Sequence, residues 1–248
     1  MVIQEQEKME EVKSAGIKVV SVYKEYDNII HPNKEVNDNP NWKQELRTAY
    51  IYHRASFSKV YPDLQFVTID ITNPFNELMA ARTAVYAKAR KEYRGNMVFT
   101  DTDILAYTPL PKDFWDGDWD IALTDPRLDN PLMSINEGIF FAKDTPYAQR
   151  FLDTYTDAAC HTMQGLLEPP LCWWIGQLAL THAYTRLNQR INIIFLDRDR
   201  YNFTPDKPVA TNAHFIHFKG NRKGLMKQYL AGLLGTDYIN VKDIEKTV

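Results

Sequence analysis

A chain of 248 residues with 44% apolar and 12% aromatic content can bury a substantial core and falls within the size range of one α/β domain. Its formal charge of -3 gives no general attraction to nucleic acid or to an acidic membrane. Two cysteines, Cys160 and Cys172, are too few for a secreted disulfide framework and lack the paired spacing of a zinc site.

The first fifteen residues are rich in Glu and Lys and contain no apolar segment, unlike a signal peptide or membrane anchor. No later stretch approaches the roughly 20 apolar residues of a spanning helix, so no transmembrane segment is expected. A cytoplasmic location, including the cytoplasm of a virus-infected host cell, fits this composition.

Apolar, β-branched runs predict strands at 17–23 (IKVVSVY), 65–71 (QFVTIDI), 97–105 (MVFTDTDIL) and 191–196 (INIIFL). Between them, mixed three and four spacing of apolar residues predicts helices over 42–59, 74–94, 146–164 and 172–188. The early alternation of strand and helix is that of a helix-covered parallel sheet. Between Trp115 and Phe141 the alternation breaks into DIAL and IFFA, separated by TDPRLDNPLMS, which reads as an active-site loop. Residues 225–248 read as a short terminal helix plus tail. With no internal repeat and no change of composition, one domain over 1–248 is expected, its core at about 17–224 and its functional loops at strand ends.

Two clusters carry chemistry. Asp101 and Asp103 follow Met-Val-Phe-Thr, so one buried strand is expected to deliver two carboxylates on one side, at a sheet edge. Two hard oxygen donors suit Mg²⁺ or Mn²⁺ and leave positions for diphosphate and water; the plainer alternative is a strand-end turn with two solvated carboxylates. The second cluster is HFKGNRK at 217–223. There His217 can complete a metal site, Gly220 lets the main chain approach phosphate, and Lys223 supplies a mobile positive charge. A solvated basic loop is the ordinary reading of that segment alone; the pair of clusters is far more specific.

In the order FTDTDIL, INEGIFFAKD, WWIGQLAL and HFKGNRK, the chain resembles the GT-A glycosyltransferases over roughly residues 17–224. The resemblance is greatest to the retaining families typified by glycogenin and the bacterial lipooligosaccharide galactosyltransferases. It implies a Rossmann-like mixed central sheet flanked by helices and a nucleotide-sugar donor, with UDP as carrier. The sequence does not identify the acceptor; a hydroxyl on a glycan, a protein, a small molecule or a modified nucleic-acid base is expected. Carried over by position, Asp101, Asp103 and His217 are metal ligands, with Asp101 also near the donor ribose. Gly220 and Lys223 meet the diphosphate, and Arg82 contacts the donor. Asn136 and Gly138 lie beside the transferred sugar, while Gln177 faces its anomeric centre and implies retention. Gly176 departs from the pattern, standing where an Asp usually precedes the Gln, and Gly224 stands where Pro-Trp often follows the Lys.

Other residues have two readings each. Tyr23 and Tyr26 sit where this fold often binds a nucleobase, or they simply pack the loop. Trp173 and Trp174 suit a sugar platform, but paired aromatics at a helix start more often belong to the core. His53 and Arg54 fit a favourable interaction with a helix C-terminus, and His161 and His182 read as structural. If the reaction inverts, Asp125, Asp129 and Glu137 are candidate bases. The rival enzyme is a haloacid-dehalogenase-type phosphatase, which also begins with a strand and Asp-x-Asp. A sugar nucleotidyltransferase would need a Gly-rich phosphate loop that is missing after the first strand. A non-catalytic nucleotide-sugar-binding protein is the third alternative.

Overall fold

The computed structural model describes residues 17–23, 38–68, 75–124, 135–165, 174–236 and 239–245. Asp125, Asp129, Tyr26, Cys172 and Trp173 lie outside them.

The central sheet runs β2-β1-β3-β6-β5-β7, formed by β1 (Lys18–Ser21), β2 (Gln65–Thr68), β3 (Met97–Thr100), β5 (Ile121–Thr124), β6 (Ile139–Ala142) and β7 (Ile193–Leu196). β1 pairs in parallel with β2 and β3, and β5 with β7, while β6 runs antiparallel between β3 and β5. The first half is built by α1 (Trp42–Val60) and α2 (Phe75–Glu92), each carrying the chain between parallel strands, as parallel pairing requires.

Alternate residues of each strand face opposite layers. Val20, Phe99, Leu123 and Phe140 pack under α2, α3 (Pro146–Gly165) and α4 (Ile175–Leu187). Val19, Val98, Ala122 and Phe141 face the other way, toward Phe57, Trp119 and Phe215. These strand residues are fully or almost fully buried, each Val, Leu or Phe side chain contributing roughly 1.5–3 kcal/mol against exposure.

A second sheet pairs β4 (Ile104–Ala106) with β8 (Phe215–His217) antiparallel, Ile104 opposite His217. The run 97–105 is therefore two strands in two sheets, not one. Thr100 ends β3, the Asp101–Asp103 turn changes sheets, and β4 continues. The other edge of β4 is closed by α1 rather than by a strand. His53 Nδ1 donates to the Ile104 carbonyl at 2.7 Å, and the Ala106 N–H donates to Ser56 Oγ at 3.1 Å. Two buried polar side chains thus satisfy backbone groups that would otherwise be orphaned. His53 is mid-helix and fully buried, so the helix-end explanation expected for it is wrong.

The segment beyond 225 is more than a helix and tail. α6 (Met226–Leu234) and α7 (Val241–Glu245) join α1, Leu105, Ile216 and Phe218 in a second apolar cluster. Between them, Gly235 closes α6 at φ 68°, the left-handed cap that glycine adopts without a Cβ penalty.

Candidate metal centre

Four strand ends meet at one place. Asp101, just past β3, donates its N–H to the Gly138 carbonyl at 2.8 Å, just before β6. Asp103, just before β4, accepts at its carbonyl from Phe218 N at 2.9 Å, beyond the end of β8. Since β4 and β8 are paired, His217 is carried beside the acidic turn.

The result is a three-residue donor cluster in which one ligand atom each from Asp101, Asp103 and His217 lies within 4.8 Å of the others. His217 Nε2 is 3.3 Å from Asp103 Oδ1 and 3.9 Å from Asp101 Oδ2. Two carboxylate oxygens and one imidazole nitrogen facing a shared centre fit a divalent cation. The expected proximity of these residues is therefore met, but by a turn between sheets rather than by neighbours on one strand face.

The charges around the trio are arranged asymmetrically. Lys223 Nζ lies 2.8 Å from Asp103 Oδ2. Burial alone would raise the Asp103 pKa, but the opposing charge, the Lys223 ammonium foremost, holds the group well below the usual carboxylate range. Asp101 is pushed up to about 7, first by burial and then by Asp103 and Glu137, against the pull of Arg82. Burial lowers the His217 pKa despite Asp103, favouring the neutral imidazole that a metal requires.

Arg82, on α2, bridges the carboxylates of Asp101 and Glu137. Glu137 also accepts a hydrogen bond from Tyr155 on α3 at 2.7 Å. Burial works against the Arg82 charge, but Glu137 and Asp101 more than compensate and keep its pKa well above the ordinary value. With Oδ1 of Asp101 engaged by Arg82, Oδ2 is the oxygen that faces His217.

The architecture matches solved enzymes at the level of fold. A glycosyltransferase involved in the glycosylation of the major capsid of PBCV-1 superposes with a TM-score of 0.54 at 13% identity, covering 87% of this chain and 98% of that one. The apo structure of the bifunctional glycosyltransferase WbbM gives 0.51 at 10% identity over 94% of this chain and 52% of its own length. The fold is that of the GT-A glycosyltransferases. An active-site mutant of LgtC, at 12% identity and covering 90% and 97% of the two chains, has a TM-score of 0.48 and adds no weight. No family model and no curated protein matches the sequence.

Within this GT-A frame the remaining expected residues take definite places. Gly220 opens the 3-10 turn Gly220–Leu225 at φ 58°, with open space where a Cβ would stand. Its backbone conformation, rather than a close neighbour, makes glycine suitable there. Asn136 Oδ1 accepts from Gly138 N at 3.1 Å, and a Cβ on Gly138 would sit 2.2 Å from His217 Cε1. Gln177 is partly buried on the first turn of α4. Its neighbour Gly176 is forced by Glu137, whose Oε2 lies 1.7 Å from where a Cβ would be.

Tyr23 stacks on Tyr50 with centroids 4.1 Å apart, and the Arg54 guanidinium lies over the Phe66 ring at 4.9 Å. Trp174 is exposed at the start of α4, so the core reading fails for it. His161 and His182 are exposed on helices and do not belong to the trio. Asn202, Tyr155 and the structural role of Glu137 were not anticipated. Asn202 follows the short helix α5 (Arg198–Tyr201) and carries no periodic signal of its own. Among the described residues no helix is long and apolar enough to cross a membrane.

Proposed function

We propose that this protein is a metal-dependent glycosyltransferase that moves a sugar from a nucleoside-diphosphate donor, with UDP as the carrier, to a hydroxyl acceptor with retention of configuration. The observation that carries the reading is the convergence of Asp101, Asp103 and His217 within 4.8 Å, with Lys223 on the outer oxygen of Asp103. Supporting it is the general tendency of open α/β sheets to bind ligands at strand ends.

Asp101, Asp103 and His217 would hold the cation, with Mn²⁺ or Mg²⁺ the candidates and the imidazole favouring Mn²⁺ over the oxygen-preferring Mg²⁺. The bound ion supplies electrostatic stabilisation of a leaving diphosphate. Lys223 is positioned to add a second positive charge where that diphosphate leaves, and the Gly220 turn presents main chain to it. Arg82 holds Asp101 in its ligand orientation from the opposite side. In this reading Asn136, Gly138 and Gln177 contact the transferred sugar and Tyr23 the base.

Retention is supported by what has become of Glu137. Of the three candidate bases it is the one within the described residues, and it is buried against Arg82 and Tyr155 rather than presented to an acceptor. The phosphatase alternative loses its footing with the GT-A fold.

A screen of nucleotide-sugars for Mn²⁺-dependent release of nucleoside diphosphate tests the activity, with UDP-sugars expected to turn over slowly even without acceptor. Release that ignores metal, or none with any donor, would overturn the reading. Once a donor and acceptor are known, NMR of the product's anomeric proton decides between retention and inversion.

A further inference from the structure

His217 can ligate a cation only through an unprotonated Nε2, and a neutral imidazole has two tautomers, one of which puts the proton there. The polarity of the hydrogen bonds behind the ring decides between them, and that polarity is anchored in the backbone. Gly138 N–H can only donate, and at 3.1 Å it donates to Asn136, so the Asn136 atom at that point is its carbonyl oxygen. The same oxygen faces Asn202 at 2.9 Å, so Asn202 presents its NH₂ there. That amide donates also to Thr124 Oγ1 at 3.2 Å. The Asn202 oxygen is thereby turned to His217 Nδ1, 2.9 Å away, where it needs a proton to accept.

We propose that Asn202, oriented by Asn136, is a positioning residue that locks His217 in the Nδ1–H tautomer and aims the bare Nε2 at the gap between Asp101 and Asp103. The proposal rests on the metal-centre reading for its purpose, but the tautomer itself is a property of the metal-free protein.

The fold holds both partners still. Phe203, next to Asn202, bridges Ile216, and His217 N donates to the Phe203 carbonyl at 2.7 Å. Asn202 and His217 are 1% and 3% exposed, so water does not compete for the bond. On its other side the ring is closed in by Gly138, where a Cβ would lie 2.6 Å from Nδ1. Without the Asn202 oxygen, the nearest acceptors for a ring proton are the Asp103 and Asp101 carboxylates facing Nε2. The imidazole would then adopt the Nε2–H form and occupy the ligand position with its own proton. Hydrogen-bond partners behind a ligating histidine commonly change metal affinity ~10–100-fold.

The test is long-range proton–nitrogen correlation NMR on ¹⁵N-histidine-labelled, metal-free full-length protein above neutral pH, with His217 assigned from a His217→Gln spectrum. The wild type is expected to show a protonated Nδ1 and a bare Nε2. Asn202→Ala is expected to reverse that pattern and to weaken Mn²⁺ binding by calorimetry ~10–100-fold. Asn202→Asp, which keeps an acceptor toward Nδ1, should retain the wild-type tautomer and most of the affinity. A wild-type Nε2–H tautomer, or Asn202→Ala with unchanged tautomer and affinity, would overturn the proposal. Should Asn202→Ala fail to fold, the wild-type and Asn202→Asp spectra still decide it. An Nδ1–H wild type that binds no Mn²⁺ would support the lock and remove the metal reading.

Discussion

Gly176→Ala sets two physical expectations against each other. Helix propensity alone favours the substitution, since Ala is better than Gly in a helix by up to about 1 kcal/mol, and Gly176 lies in the first turn of α4. Geometry opposes it. The new methyl would stand 1.7 Å from Glu137 Oε2 and 2.5 Å from Oε1, so the whole carboxylate must move, and it is not free to do so. Tyr155 bonds it at 2.7 Å and Arg82 pairs with it, all in a buried setting.

Losing the Tyr155 bond to a charged acceptor costs ~1.5–3 kcal/mol, and fully breaking a buried ion pair costs ~3–5 kcal/mol. Partial displacement, less the propensity gain, leaves a net destabilisation of about 2–4 kcal/mol. Urea unfolding of wild type, Gly176→Ala, Glu137→Ala and the double variant measures this as a shift in midpoint at constant slope. In the Glu137→Ala background the obstruction is gone, so Gly176→Ala should become neutral or stabilising, a coupling of at least ~2 kcal/mol. A Gly176→Ala protein as stable as wild type, or additivity across the cycle, would refute the placement of Glu137.

Asp103→Ala should weaken UDP binding in the presence of Mn²⁺ by at least ~100-fold, about 3 kcal/mol, because the diphosphate then meets Asp101 without a well-held cation; calorimetry on the folded variant checks it, and unchanged affinity would remove the acidic turn from the site. Gly138→Ala should expel the His217 ring from its place, since the added Cβ would be 2.2 Å from Cε1, and should lower Mn²⁺ affinity by at least ~10-fold; unaltered affinity would contradict the close packing. His53 predicts a pH dependence of stability. Burial lowers its pKa from 6.5 to about 4, against the opposing effects of the Ile104 bond and Asp103 and with a further push from Arg54. Below pH 6.5 the unfolded chain takes up a proton that the folded protein refuses, so stability falls between pH 6.5 and about 4, by roughly 3 kcal/mol in all. His53→Gln, which can still donate to Ile104, should flatten that part of the profile; an unchanged slope would refute the assignment.

The helices were legible because each buries one face, and that face writes a period of three to four into the sequence. α1 and α3 were expected within about one residue of their observed ends. The acidic turn was legible as chemistry but not as geometry. Apolar residues flank Asp101–Asp103 on both sides, and a run that is apolar throughout gives no sign that it leaves one sheet and enters another. His53 failed for a related reason. Its partner, the Ile104 carbonyl, lies 51 positions away, and only tertiary packing makes it an orphan needing a donor. Trp174 was misplaced because an aromatic pair at a helix start carries no period from which to tell the inward face. Asn202 was invisible because its partners, Thr124, Asn136 and His217, come from three separate segments.

The departure at Gly176 shows why a site pattern cannot be scored position by position. Judged alone, a glycine where an acid usually precedes Gln177 is a lost carboxylate and weakens the case for an intact site. In space the loss is filled, because Glu137 reaches in from the loop before β6 and puts a carboxylate oxygen where a side chain at 176 would begin. Neither feature works without the other. An acid at 176 would collide with Glu137, and Glu137 without that cleared space would be displaced from Arg82 and Tyr155. The local charge sum is preserved by this exchange: Arg82 stands between Asp101 and Glu137, and Lys223 against Asp103. Lys219 also acts on Asp101 and His217, so the three carboxylates are nearly balanced by cations before any ion arrives. A divalent cation would add net positive charge there, and an anionic diphosphate would then approach a positive centre. Glu137→Gln removes one of the balancing negative charges, and Mn²⁺ affinity should fall even though the amide keeps a hydrogen-bond acceptor for Tyr155. Calorimetric Mn²⁺ affinity equal to wild type in that variant would show that Glu137 serves packing alone.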